Sequence, residues 1–464
     1  MTDNLPVNNN VKFNAGVITE NKFTNSQIHS LSHKKLVPQL EVLLKRHSTK
    51  PSAKPNKKEG LNTLYKASAI LWLLFCHRFP SLRINTTSHF LKEAMRNYRD
   101  ELYNLSYDPE CLDYPSLIDL GYMKEKHWVY AAYIATITSL PLLHKVCDVQ
   151  EILRAILAKT SFGTNIKLLD NLNDEIHDVS QALDSLCNWL SAHTKGEYIN
   201  RNKDQDRIVI KAENSAFKMG TWVFEAISSC QLYASKMYEV YSNDAMKMVE
   251  GQINSIKHKA DRKGKLPSIR EYISNISEKN NGNLWIDIDL CFLENGLQGF
   301  KKDQLRAIEL LKVGNSLIFK SSLFYDDAED IYEDLRTESI NSAIILALER
   351  GIISYNDLKK KSSFEIVKRL RETGILMDVV RLADMFFITG IEMLDGIKDR
   401  LEGILDKQGL IQSYRLLRMF LLRKLLIMNR DYETMKLFFS SLGDFERIKR
   451  NIPDDIMALQ RYLA

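Results

Sequence analysis

Two segments carry carboxylates at spacings that suit chemistry. Asp170-Asn-Leu-Asn-Asp174-Glu-Ile-His177-Asp178 and Asp326-Asp-Ala-Glu-Asp330-Ile-Tyr-Glu333-Asp334 each place polar groups at positions i, i+4, i+7 and i+8. On an α-helix of about 3.6 residues per turn those positions share one face. The opposite faces are apolar, with Leu168, Leu172, Ile176 and Val179 in the first segment and Phe324, Ala328, Ile331 and Leu335 in the second. The spacing therefore predicts two amphipathic helices, each with a carboxylate stripe. One such stripe is ordinarily a solvated face. Two stripes facing one cavity would supply the oxygen ligands that hard divalent cations such as Mg2+ require. His177 shares the first stripe, but a lone histidine is more often structural than a ligand.

The elements that must position these groups are helical. Beyond Leu61, apolar residues recur at helical spacing over about 61–76, 86–104, 124–145, 148–159, 162–191, 209–241, 243–260, 267–277, 303–335 and 338–350, and onward to the C-terminus. Only 10 prolines and 19 glycines interrupt the 464 residues. Long helices with few connections predict an all-α bundle. Residues 1–60 are polar and end in the Pro/Lys-rich run 50–60, which reads as a flexible N-terminal extension, with a short amphipathic helix near 36–45. Residues 61–464 are expected to form one helical domain, with loops at 195–206, 262–267 and 279–283. No fixed-period repeat emerges.

Composition excludes several classes. The formal net charge is only +5, and the basic residues do not gather with aromatics into a nucleic-acid module. No nucleic-acid partner is expected. The six cysteines are scattered without a CxxC or a Cys/His cluster, which argues against a zinc site and a disulfide framework and fits a reducing cytoplasm. The polar, Asn-rich start does not read as a signal peptide. Residues 67–76 are too short to span a bilayer, and 128–143 are interrupted by Thr, Ser and Pro141, so both read as buried helices. The run 413–428 alternates basic and apolar residues at helical spacing. It suits a core helix with snorkelling arginines better than a helix lying on a membrane surface.

The second acidic segment is a literal DDxxD, and in this respect the chain resembles the class I isoprenoid synthases, the superfamily of trans-prenyl diphosphate synthases and class I terpene cyclases. Asp326, Asp330 and Asp334 also occupy the places of the cyclase-type second motif, with aspartates where that motif has a hydroxyl and a glutamate. Asp170 and Asp174 match a reduced DxxxD form of the first motif. Between them, Glu250-Gly251-Gln252 is similar to the Glu-Gly-Gln of the intervening helix. Glu271-Tyr272 followed by Lys279 resembles the approach to the family's diphosphate-contacting lysine, and Asp334-Leu-Arg336 leading into 343–349 looks like the continuation after the second motif. The likeness covers about residues 150–350.

The resemblance implies an all-α class I isoprenoid synthase bundle acting as a Mg2+-dependent terpene synthase on a prenyl diphosphate. Asp170, Asp174, Asp326, Asp327, Asp330 and Asp334 would be the metal ligands, with Asp170, Asp174, Asp326 and Asp330 central to catalysis and Asp327 an alternative or supporting ligand. Lys279 and Arg336, and more weakly Lys257 and Lys259, would contact the diphosphate. Phe162, Trp222, Phe224 and Phe324 are candidate walls for a carbocation pocket. The chain also departs from the family. It lacks a Gly-Lys-Arg stretch between 60 and 120, the paired arginine after the first motif and the Phe-Gln before the second. Those absences turn the expectation away from chain elongation. Squalene- or phytoene-synthase-like condensation and a prenyl diphosphate synthase-like prenyltransferase are the rivals within the enzyme class, and a non-catalytic helical interaction protein is the rival outside it. A cytoplasmic location, peripheral membrane contact and a homodimer are all compatible with this picture.

Overall fold

A computed structural model describes residues 72–175, 178–200, 207–260, 266–397, 401–422 and 445–463, with a few positions between 38 and 70. Among the described residues all regular structure is helical, as the apolar spacing predicts. The helices that build the core and the site are, in chain order, α1 Ile84–Asn104, α2 Glu125–Leu143, α3 Val149–Glu175, α4 Val179–Lys195, α5 Arg207–Ser228, α6 Gln231–Ala260 and α7 Ile269–Ser274. They continue with α8 Gly282–Leu297, α9 Lys302–Glu329, α10 Ile331–Thr337, α11 Ser342–Glu349, α12 Ile375–Asp395 and α13 Lys407–Leu421. A 3-10 turn, Ile276–Lys279, separates α7 from α8.

Helix ends differ from the sequence expectation where local capping outweighs periodicity. The segments expected at 148–159 and 162–191 regroup: α3 runs unbroken from Val149 to Glu175, and the break falls after it. Asp178 adopts an extended backbone, and its carboxylate accepts from the Gln181 N–H at 2.9 Å while the Gln181 side chain reaches back, a capping box that starts α4. Asp178 therefore does not share a helix with Asp170, and the four-position stripe of the first segment is cut short. His177 lies outside the described residues.

The sequence pattern missed α8 altogether, because Trp-Ile-Asp-Ile-Asp-Leu at its start alternates polar and apolar residues and shows no helical stripe. In the fold α8 is enclosed on all sides by α2, α3, α6 and α9, with residues from Leu284 through Glu294 buried. A helix surrounded in this way has no polar face to reveal itself. Its two aspartates enter the core in company. Asp289 meets Lys159 of α3 at 2.5 Å, and Asp287 meets Lys312 of α9 at 2.7 Å, with Asp244 of α6 on the other side of that lysine at 2.6 Å.

Two apolar clusters share the long helices. The first surrounds α8, with Phe162, Leu168, Phe217 and Leu311; the second contains Phe324, Ile345, Val379 and Phe386. Helices α9 and α12 contribute to both, and they cross at Gly314 and Gly390. A Cβ on Gly390 would stand 2.6 Å from the Gly314 carbonyl oxygen, so the backbones approach as closely as glycine allows. Up to Leu422 the run that begins at Ser413 is core, with Tyr414, Leu416 and Leu417 buried. Of its two arginines in this stretch, Arg415 is half-buried over the Phe445 ring, and Arg418 does not snorkel but is buried and pairs with Asp384 at 2.6 Å. No helix among the described residues is long and apolar enough to cross a membrane.

Candidate active site

Both acidic segments lie at one end of the bundle. Helix α8 runs antiparallel to α3, since Lys159 meets Asp289 while a Cβ on Gly163 would touch Trp285. It also runs antiparallel to α9, since Lys312 meets Asp287 while Gly282 lies against Phe319. Trp285 thus marks a common level, with Phe319 tilted against it at 5.7 Å between ring centroids. Asp170 is seven residues beyond Gly163 and Asp326 is seven beyond Phe319, so each carboxylate stands about 10 Å past that level in the same direction. Asp170 is partly exposed and pairs with Lys167 at 2.7 Å. Beside it, His127 at the start of α2 has its pKa lowered to about 4 by burial and by nearby lysines, Lys167 foremost, with Asp170 opposing. Asp174 occupies the last turn of α3; its side chain lies outside the described residues.

The α9–α10 junction carries the second segment. Asp330 leaves helical geometry at φ −103° and ψ 14°, which makes it the boundary between the two helices. The hydrogen-bond ladder nevertheless continues across it, from Asp330 N–H to the Asp326 carbonyl at 2.8 Å and from Asp334 N–H to the Asp330 carbonyl at 3.0 Å. Asp326, Asp330 and Asp334 consequently remain stacked along one side. Immediately before them, the Tyr325 hydroxyl bonds Asp384 of α12 and accepts from Arg418 Nε of α13 at 3.1 Å, anchoring the end of α9 in the core.

The four aspartates are not equivalent. Asp326 is exposed and Asp330 is half-buried, whereas Asp327 turns inward and is only 8% exposed. Asp327 Oδ2 accepts from the Tyr272 hydroxyl at 2.9 Å and from the Ser342 N–H at 2.9 Å. Burial pushes its pKa up to about 6, against the pull of those donors and of the Lys279 charge. Asp334 is pushed up to about 7, first by burial and then by Asp327, Asp326 and Asp330, while a hydrogen bond from Asn341 acts the other way. Repulsion among carboxylates thus survives folding at this end of the molecule.

The cationic candidates separate. Lys279 ends the 3-10 turn, close enough to Asp327 to lower its pKa. That turn lies directly on Gly251 of α6, where a Cβ would stand 2.5 Å from the Lys279 backbone nitrogen. The glycine of Glu250-Gly251-Gln252 is what lets α6 and the Lys279 turn meet. Arg336 is 74% exposed and pairs with Glu333 on its own helix. Lys257 and Lys259 fall in the last turns of α6, their side chains outside the described residues.

The four aromatics do not form one wall. Phe162 packs with Trp189, His193 and Trp285 in the first core, whereas Phe324 stacks on Phe386 at 4.8 Å in the second. Proximity in sequence to the acidic segments was a poor guide to facing. A groove of about 610 Å³ between α6 and α9, lined by Asp244, Ile273, Lys312 and Tyr462, contains none of the acidic-segment residues. Sequence reasoning also missed Asn341. Its place one residue before an apolar helix is the available signal, since asparagine is favoured at an N-cap.

Among the described residues no three His, Cys, Asp or Glu side chains converge closely enough to hold a metal ion alone. Mg2+ does not need such a cage, because it keeps several waters and takes one or two carboxylates plus phosphate oxygens. Hard oxygen donors gathered as they are around Asp334, whose pKa its carboxylate neighbours help to raise, fit that cation in kind.

No protein-family profile and no curated protein matches the chain. Among solved structures it is similar to linalool/nerolidol synthase from Streptomyces clavuligerus, at 12% identity and a TM-score of 0.39, over 70% of this chain and 93% of that one. The same enzyme in complex with 2-fluorogeranyl diphosphate aligns at 12% identity with a TM-score of 0.38, over 74% and 98%. 2-Methylisoborneol synthase from Streptomyces coelicolor A3(2) aligns at 13% identity with a TM-score of 0.35, over 69% and 89%.

Proposed function

We propose that the protein is a Mg2+-dependent class I terpene synthase that ionises a prenyl diphosphate, after which the carbocation cyclises or loses a proton. The observation that carries this reading is the α9–α10 junction: Asp326, Asp330 and Asp334 stacked on one side, with Asp334 raised to about 7 partly by its carboxylate neighbours. Asp326, Asp330 and Asp334 would hold the metal on one wall, and Asp170 with Asp174 on the other. Bound there, Mg2+ would neutralise charge developing on the diphosphate leaving group.

The chain's own groups have distinct tasks in this reading. Lys279 presents a point charge to phosphate oxygens from a turn fixed against Gly251. Arg336 offers a planar donor set once it leaves Glu333, a surface partner that holds it weakly. Asp327 supports the wall from inside through Tyr272 and Ser342 rather than from the solvent side. The Arg418–Asp384–Tyr325 network fixes the end of α9 on which the wall stands.

The test incubates purified protein with geranyl, farnesyl and geranylgeranyl diphosphates, with Mg2+ or with chelator, and measures released diphosphate and extractable products. Metal-dependent release with a product from one substrate molecule is expected. A product that joins two substrates would identify a condensing enzyme instead, and no release from any of the three would favour a non-catalytic helical protein.

A further inference from the structure

We infer that Asn341 is a positioning residue that holds the Asp334 carboxylate in register with Asp326 and Asp330. The inference rests on the proposed function only for what those carboxylates bind. Asn341 is fully buried between α10 and α11. Its Nδ2 donates to Asp334 Oδ2 at 2.7 Å and to the Asp327 carbonyl at 2.8 Å, while its Oδ1 accepts from the Ala343 N–H at 2.8 Å. One amide therefore ties together the last turn of α9, the body of α10 and the first turn of α11.

The neighbouring backbone closes the clip. Ser342 N–H donates to Asp327 Oδ2, which Tyr272 of α7 also engages. The inward Asp327 carboxylate and the Asn341 amide thus grip the junction from two sides. Such a grip is needed because α10 has only seven residues, too few for helicity to be self-sustaining. Its ends are tied by backbone bonds, Asp334 N–H to the Asp330 carbonyl at 3.0 Å and Ser339 N–H to the Asp334 carbonyl at 2.8 Å, and it stops at Glu338, a non-glycine residue at φ 54°. Asp334 stands beside Asp327, Asp326 and Asp330, and the Asn341 donor fixes which way its carboxylate faces. Fixing a ligand's orientation by a hydrogen bond from behind is how groups that never touch a metal govern its affinity.

The experiment must separate this role from the ordinary capping of α11. Asn341→Ser keeps an acceptor that can cap the helix but shortens the side chain so that it cannot donate to Asp334. Asn341→Ala lacks both functions. Ser342→Ala keeps the backbone N–H that engages Asp327. Mn2+ titration of the substrate-free protein, followed by electron paramagnetic resonance, should show affinity falling about 10- to 100-fold for Asn341→Ser and to a similar degree for Asn341→Ala, with Ser342→Ala unchanged. Hydrogen exchange should show protection lost across 331–337 in both Asn341 variants and retained elsewhere. Asn341→Ala should also melt below Asn341→Ser.

Unchanged exchange at 331–337 in Asn341→Ser would overturn the inference. Lost protection with wild-type Mn2+ affinity would overturn it too, by showing an architectural role alone. Wild-type protein that binds no Mn2+ without substrate would overturn the metal part of the inference, whereas the proposed function stands or falls on metal-dependent diphosphate release. Hydrogen exchange would then decide by itself whether the clip holds α10.

Discussion

Asp287 and Asp289 on α8 and the aspartates of the α9–α10 junction are the same functional group placed in opposite company. In the core, each carboxylate of α8 meets a lysine from a neighbouring helix, Lys312 or Lys159. At the junction, the charged groups that raise Asp334 are other carboxylates, and the donor that meets it is the neutral amide of Asn341. Burial forces compensation in the first region, because an unpaired ion far from water is too costly to fold around. The exposure of Asp326 and the partial exposure of Asp330 and Asp334 make like-charge repulsion cheaper in the second, and a cation would relieve it. The contrast separates carboxylates paired with lysines from Asp334, which a neutral amide holds beside other carboxylates.

The largest effect should come from breaking a completed pair. Lys159→Met leaves Asp289 buried without its cation, and denaturant unfolding should show a loss of about 3–5 kcal/mol. The double variant Lys159→Met/Asp289→Leu should recover much of that loss; failure to recover would mean that the pair does more than satisfy itself. Next, Asp326→Asn and Asp330→Asn should each lower diphosphate release roughly 100-fold or more with circular dichroism unchanged. Normal turnover in both would remove the functional side of the comparison.

A third test uses like-charged carboxylates away from the junction. Glu101 has its pKa raised to about 7 by burial and then by Glu225. A carboxylate with a raised folded pKa destabilises the fold once ionised, so stability should fall as pH rises from about 4.5 through 7. Glu101→Gln should therefore gain about 1–2 kcal/mol at pH 8, gain nothing below pH 4 and leave turnover unchanged. The smallest effect belongs to the exposed Arg336–Glu333 pair. Arg336→Ala should change stability by no more than about 0.5 kcal/mol. A rise in KM for the diphosphate without that change in stability would mark Arg336 as a contact.

Helical class and the long amphipathic elements were legible because one face of each is polar, as in α1 and α9. The centre of the bundle was not, because α8 is wrapped by its neighbours and its Asp287 and Asp289 mimic strand alternation. The second acidic segment was legible as a stripe, since the backbone ladder from Asp326 to Asp334 survives the junction. In the first segment the capping box at Asp178 decided the helix end, a local hydrogen bond that periodicity does not register. The inward turn of Asp327 and the grip of Asn341 depend on Tyr272 and Ser342 arriving from other helices. No spacing within a single segment encodes that.

The crossing of α9 and α12 at Gly314 and Gly390 acts on the acidic end as a fulcrum. Asp326 lies twelve residues farther along α9, about 18 Å away at the helical rise. A tilt of only about 3° at the crossing would carry that carboxylate through about 1 Å, a displacement that costs catalysis heavily when reacting groups must be aligned. A methyl group at Gly314 would press on the Gly390 carbonyl oxygen at 2.9 Å. The leverage of α9 would convert that small collision into a displaced carboxylate row, so the glycines of this crossing set the aim of residues they never touch.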